Sequence, residues 1–118
     1  MWVEPERIVE VETQLGVALP PPLRSLYEHG DGRFRPDGQW WVVWPLNRLL
    51  VDNLDAWRRG WLPRSLLAFG DDGTGNPFCV DIDEGESDVL RWNWIDEAVE
   101  RSEGPMADFI AEWIGDSA

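Results

Sequence analysis

The sequence predicts an α+β fold: an antiparallel β-sheet meander with N-terminal helices, one inserted helix and a C-terminal helix. Two observations predict it. In several segments apolar residues alternate with polar ones, which is the period of a half-buried strand. In other segments they recur at helical spacing and form a single stripe. With 118 residues, the chain is expected to form one domain, residues 1–118, with a core of its own.

Prolines and glycines mark the ends of the predicted helices. Proline suits the first position of a helix, where its missing N–H does no harm, and glycine commonly follows the last turn. The predicted helices run from Pro5 to Gly16, from the prolines at 20–22 to Gly30, from Leu46 to Gly60, and onward from Gly104 and Pro105.

Four strands are predicted in one antiparallel sheet, at residues 40–44, 66–69, 77–82 and 88–94. The first is apolar on both faces, because Trp40 and Trp41 point in opposite directions. Such a strand is either covered on both sides or displays tryptophan to a partner. Residues 34–38 are expected to form a loop, and 96–103 are ambiguous between loop and helix.

The centre of the meander is a predicted hairpin with the sequence LLAFGDDGTGNPFCVDI, residues 66–82. Its turn contains Gly70, Gly73, Gly75 and Asn76, and glycine supplies a positive φ at no steric cost. We expect a positive φ at Gly75 and expect Asp71 and Asp72 to bond to backbone amides of the turn.

The charge of the chain is large and uneven. The net charge is −13, and residues 71–118 hold fourteen acids against Arg91 and Arg101. Such a field repels nucleic acid and attracts basic partners, although solubility alone is an alternative explanation. No apolar run approaches the ~18 residues of a membrane span. The acidic N-terminus and the single cysteine favour a cytoplasmic location.

Candidate chemistry is sparse. Cys79 and His29 could form a thiol–imidazole pair, but a cysteine inside a strand is more often structural. The acids between Asp81 and Asp88 could collect a cation, yet their spacing does not fit a calcium loop, and solvated charge is the preferred interpretation. The sequence therefore predicts no enzymatic activity, no cofactor and no required metal.

Several segments resemble the SUKH superfamily in order and spacing. IVEVETQLGVALPPPLRSLYEHGDG resembles its opening pair of helices, and AFGDDGTGNPFCVDI resembles its central hairpin, with Asn76 where aspartate is commoner. A tryptophan-bearing strand and a Phe/Trp-bearing last helix follow, as in that superfamily. It includes Smi/Knr-type regulators of fungal cell-wall assembly and bacterial immunity proteins of polymorphic toxin systems.

The resemblance implies an immunity protein that neutralises a toxin domain, here a basic, nuclease-type one. A regulatory or scaffold domain of the Smi/Knr type is the alternative, and an acidic mimic of nucleic acid acting on a host protein is a third. We expect a protein partner, with no direct contact to nucleic acid or membrane. The candidate partner-binding residues are Asp71, Asp72, Asp81, Asp83, Glu84, Glu86, Asp88, Trp40 and Trp41.

Overall fold

A computed structural model describes residues 3–35, 39–83 and 88–114. Within them the chain forms four α-helices and six strands and so has the predicted α+β fold. In chain order these are α1 (Pro5–Leu15), α2 (Pro21–His29), β1 (Arg33–Arg35), β2 (Trp40–Val43), α3 (Leu46–Arg59), β3 (Leu66–Asp71), β4 (Pro77–Asp81), β5 (Val89–Asn93), β6 (Ala98–Gly104) and α4 (Met106–Phe109), and a π-helical segment, Ile110–Ile114, continues α4.

Four strands pair in the order β3-β4-β5-β6, and every pair is antiparallel. The predicted hairpin is confirmed, with Leu67 opposite Val80 and Ala68 opposite Cys79. Alternation along the strands places Leu67 and Val80 on one face, in the main core with residues of all four α-helices. Ala68 and Cys79 lie on the other face, in a smaller cluster with Trp92.

The aromatic strand is not part of that sheet, contrary to the prediction. β2 pairs instead with β1 in a separate two-stranded antiparallel sheet. Backbone contact with the larger sheet remains close, because the N–H of Trp44 donates to the carbonyl of Phe69 at 2.7 Å. A Cβ added to Gly70 would lie 1.7 Å from the carbonyl oxygen of Val42. Gly70 therefore permits the two sheets to approach each other.

The outer edge of β3 is covered by α3. The side chain of Asn53 is fully buried and bonds to both backbone groups of Ala68, donating to its carbonyl at 2.7 Å and accepting from its N–H at 2.8 Å. The indole N–H of Trp57 donates to the carbonyl of Leu66 at 2.9 Å. These side chains satisfy backbone groups that an uncovered edge strand would expose.

Two strands were missed by the sequence analysis. β1 overlaps residues 34–38, which were expected to form a loop. β6 overlaps residues 96–103, for which the sequence did not distinguish loop from helix. β6 follows β5 in the meander, and its register places Trp92 opposite Val99. The strand is exposed along most of its length, with Glu103 its one buried residue. β6 is a strand because its backbone pairs with that of β5. Backbone pairing does not require alternating apolar residues, so the sequence does not show it.

The C-terminal helical segment closes the main core. Phe109 is fully buried and contacts the ring of Phe78, with ring centroids 4.7 Å apart. Trp113 also contacts Phe78, at 5.0 Å between centroids. Edge-to-face aromatic pairs of this kind contribute about 0.5–1.5 kcal/mol each beyond the area they bury. Among the described residues, no helix is both long enough and apolar enough to cross a bilayer.

Candidate functional site

The glycine-rich turn between β3 and β4 is built by two aspartates, as predicted. Asp71 Oδ1 accepts from the N–H of Gly73 at 2.7 Å, and Asp72 Oδ1 accepts from the N–H of Thr74 at 2.8 Å. The φ of Gly75 is 98°, which confirms the expected left-handed conformation. Both carboxylates therefore hold the turn in place.

Asp72 also takes part in an ion-pair network that extends into the protein. Its carboxylate lies 3.5 Å from the guanidinium of Arg91, which lies 3.0 Å from Glu103. Arg101 approaches the same Glu103 oxygen at 2.9 Å. The side chains of Asp72 and Glu103 are only 3% and 2% exposed. The structure thus places Asp72, a candidate partner-binding residue, where a neighbouring arginine already neutralises it.

Arg91 and Glu103 were not singled out by the sequence analysis. Arg91 lies on the sheet face that carries the main core, and its guanidinium is 5.5 Å from the Phe78 ring centroid and 5.4 Å from that of Trp113. The position of Arg91 in the sequence could have indicated its role. A charged residue two places after Val89 on an apolar strand face requires a buried partner of opposite charge.

The end of the sheet at which β4 finishes and β5 begins we call the acidic-turn end, and its described acids are Asp81, Asp83 and Asp88. Asp83 and Asp88 are exposed, and Asp81 is partly exposed. Asp81 accepts from the N–H of Asp83 at 2.9 Å, and Asp88 accepts from the hydroxyl of Ser102 at 3.1 Å. Glu84 and Glu86 lie outside the described residues. A binding role for this end stays a prediction.

The opposite end of the sheet carries a second set of acids. In an antiparallel meander alternate turns share an end, so the β3–β4 turn (residues 72–76) lies beside the β5–β6 turn (residues 94–97). We call this the glycine-turn end. The indole N–H of Trp94 donates to the carbonyl of Gly75 at 2.9 Å and joins the two turns. The acids that reach solvent at this end are Asp71, Asp96, Glu97 and Glu100, the last of which accepts from Asn93 at 3.0 Å.

Sequence reasoning named only Asp71 among those acids. The other three flank or belong to β6. Because no strand was predicted there, the sequence did not indicate that these three acids lie at the glycine-turn end. Recognising a polar edge strand after residue 97 would have placed Asp96, Glu97 and Glu100 beside the glycine-rich turn.

Trp40 and Trp41 are both partly exposed, but they face different neighbours. The Trp40 ring lies against the glycine-rich turn, 3.2 Å from where a Cβ on Gly73 would be. Trp41 contacts Phe34 on β1, with ring centroids 5.1 Å apart. The structure therefore places Trp40 beside Gly73 at the glycine-turn end, away from the acids of the acidic-turn end.

The candidate nucleophile is enclosed. Cys79 has no exposed surface, and burial raises the pKa of its thiol well above the ordinary value. His29 is exposed, and its Nδ1–H donates to the carbonyl of Ser25 at 2.8 Å. Within the described residues, no group of three or more histidine, cysteine or acidic side chains could hold a metal ion.

Comparison with known families identifies the relationship. The model of the SMI1 / KNR4 family (SUKH-1) matches residues 3–116, nearly the whole chain. No curated protein matches the sequence. The matched range includes both sheets and all the described helices, and it agrees with the resemblance seen in the opening helices and central hairpin. The chain therefore belongs to the SMI1 / KNR4 family (SUKH-1).

Proposed function

We propose that this protein is a non-enzymatic immunity protein that binds a basic toxin domain, of the nuclease type, and blocks its active cleft. Membership of the SMI1 / KNR4 family (SUKH-1) supports the general role, because the SUKH superfamily that the sequence resembles includes immunity proteins of polymorphic toxin systems. The observation that carries the specific proposal is the charge distribution. Residues 71–118 contain fourteen acids and two arginines, and the four-stranded sheet, three strands of which lie in this segment, exposes acids at both of its ends.

The mechanism needs only complementary charge. A nuclease must present a positive cleft to the phosphates of its substrate. Exposed carboxylates attract that cleft at long range and raise the association rate, and occupation of the cleft excludes the substrate. Asp83 and Asp88 at the acidic-turn end are exposed and suit this role. Since inhibition follows from occupancy, no covalent step is required.

The non-enzymatic part of the proposal is supported by the state of the thiol. A thiolate is the reactive form of cysteine, and complete burial of Cys79 disfavours that form. Its position in the middle of β4 also leaves no approach for a substrate.

The test is to express the chain with the product of the adjacent gene and to measure both binding and inhibition of that product's activity. Stoichiometric binding with loss of toxin activity is the expected result. Binding without inhibition would favour the regulatory or scaffold role. Failure to bind any adjacent gene product would contradict the proposal.

Charge reversal then tests the mechanism. Changing Asp83, Glu84 and Glu86 to lysine should slow association about ten-fold or more at low salt, because the steering field is lost. The matched control changes to lysine three exposed acids on the helices, Glu10, Glu28 and Glu112, and so alters the net charge equally. Equal effects of the two triple variants, or an association rate that salt does not alter, would rule out capture by this end.

A further inference from the structure

The glycine-turn end carries an apolar cleft, which has no part in the electrostatic attraction proposed above. Trp61, Trp94 and Glu97 line an open cavity of about 610 Å³, and an adjoining cavity of about 280 Å³ shares both tryptophans. Cavities of the first size are typical of sites that enclose a ligand or a large side chain. The cleft lies on the sheet face opposite the main core, next to the smaller cluster, against which Trp94 packs.

One large apolar side chain that lines this cleft, and another beside the cleft in the chain, are exposed to solvent. Trp61 is 52% exposed and Ile95, between Trp94 and Glu97 in the chain, is 91% exposed. The guanidinium of Arg59 covers part of Trp61, 4.8 Å from its ring centroid. Tryptophan and aliphatic groups left in water at one place mark a protein-binding surface more often than singly scattered residues do.

The charges around the cleft decide what it can accept. Asp52 and Asp55 line the smaller cavity together with Arg48, and both acids are paired. Asp52 pairs with Arg48 at 3.1 Å, and Asp55 pairs with Arg58 at 2.6 Å and with Arg59 at 2.9 Å. The acids that reach solvent at the glycine-turn end have no ion pair with any described residue, unlike the buried Asp72, and they are Asp71, Asp96, Glu97 and Glu100. Of these acids, Glu97 lines the larger cavity and Asp71 the smaller one, so an occupant meets apolar surface with an unpaired carboxylate in each cavity.

We propose that this cleft binds a protein segment that presents one large apolar side chain flanked by lysine or arginine. The apolar side chain would enter between Trp61 and Trp94, and the flanking cations would pair with the turn acids. The partner rests on the proposed function, since a basic toxin domain is the source of such a segment. The cleft would supply short-range affinity, while the acidic-turn end supplies steering.

The decisive experiment does not require the toxin. The ¹⁵N-labelled protein is titrated with a five-residue peptide in which leucine and tryptophan alternate with lysine, and separately with the same peptide carrying glutamate for lysine. We expect the basic peptide to shift the indole N–H signals of Trp61 and Trp94 and the amide signal of Ile95. The signal of Trp113, which packs on the main-core side, should stay in place. The acidic peptide should shift none of them.

Variants locate the effect. Trp61→Ser combined with Ile95→Ser should weaken binding of the basic peptide at least about five-fold, whereas Val9→Ser, at an exposed apolar position on α1, should leave it unchanged. Melting temperatures of all variants establish that they are folded. Equal binding by both variants, equal binding of both peptides, no shifts at millimolar peptide, or shifts confined to the acidic-turn end would overturn the proposal.

Measurements of toxin binding distinguish failure of this inference from failure of the proposed function. If the native chain binds its toxin and the cleft variant binds equally tightly, the cleft inference fails and the proposed function stands. If the native chain binds no adjacent gene product, the proposed function fails, and the peptide titration still decides whether the cleft binds.

Discussion

At the scale of single residues, Arg91 neutralises part of the negative charge of residues 71–118 inside the protein. It pairs with two buried carboxylates, those of Asp72 and Glu103, and its own side chain is only 15% exposed. Counting acids along the sequence treats all fourteen as surface charge. The structure removes these two from that count, because a buried acid is tolerated only beside a cation.

We predict that Arg91→Met destabilises the protein by about 3–5 kcal/mol, because it leaves buried carboxylates without their cation. Chemical denaturation at neutral pH measures the change in the free energy of unfolding. Arg101→Met is the matched control. It also removes a cation from Glu103, but Arg101 is 61% exposed, so its loss should cost less than about 1 kcal/mol. Similar costs for the two variants would show that burial of the Arg91 pairs contributes nothing.

The thiol gives a second prediction at this scale. Because burial raises the pKa of Cys79, the thiol stays protonated at pH 8 and is also inaccessible. A disulfide exchange reagent should therefore label it only as the protein unfolds, with full labelling in denaturant. As a control, Ser25→Cys in a Cys79→Ala background places a thiol on the exposed surface of α2 and should react within minutes. Rapid labelling of the native thiol would contradict the enclosed position.

At the scale of elements, the central hairpin uses glycine in two physically different ways. Gly75 needs its left-handed φ, yet a Cβ there would meet nothing within 4 Å. Gly70 lies in β3, and there a Cβ would collide with the backbone of β2. Glycine is required at position 75 for its backbone conformation and at position 70 because there is no space for a side chain.

These two causes predict different responses to substitution. Gly75→Val should cost on the order of 1–3 kcal/mol through backbone strain, and Gly75→Asn should recover most of that cost because asparagine tolerates a positive φ. Gly70→Ala should cost about 1–3 kcal/mol or more by forcing the sheets apart, and Gly70→Asn should be worse. Denaturation midpoints measure all four. Rescue by asparagine at both positions, or at neither, would contradict the distinction.

The elements that sequence predicted well are those whose period is visible. Alternation of Phe78 and Val80 against polar neighbours specified β4, and helical spacing specified the first three helices. β1 has one apolar residue, Phe34, which is too few to show any period. β6 has an unbroken exposed run, and only its pairing with β5 identifies it. Tertiary pairing of this kind has no local signature.

At the scale of the whole molecule, the candidate site was predictable in composition and only partly in arrangement. The uneven charge follows from counting residues, and an acidic turn after Ile82 follows from the hairpin. Successive turns of a meander lie at opposite ends of the sheet, so the separation of Asp71 from Asp83 follows as well, but the acids that β6 brings to the glycine-turn end do not. Because β6 was not recognised, the apolar cleft between Trp61 and Trp94 could not be anticipated. These residues lie 33 positions apart, in segments joined only by the fold.

The covered edge of β3 has a consequence for self-association. An edge strand with free backbone groups can recruit another copy of the same chain and begin an aggregate. Asn53 and Trp57 occupy those groups on β3, so another copy cannot add a strand there. The opposite edge, β6, is lined with charged side chains, which discourage stacking between copies. We therefore expect neither edge of the four-stranded sheet to recruit a strand from another copy of the protein.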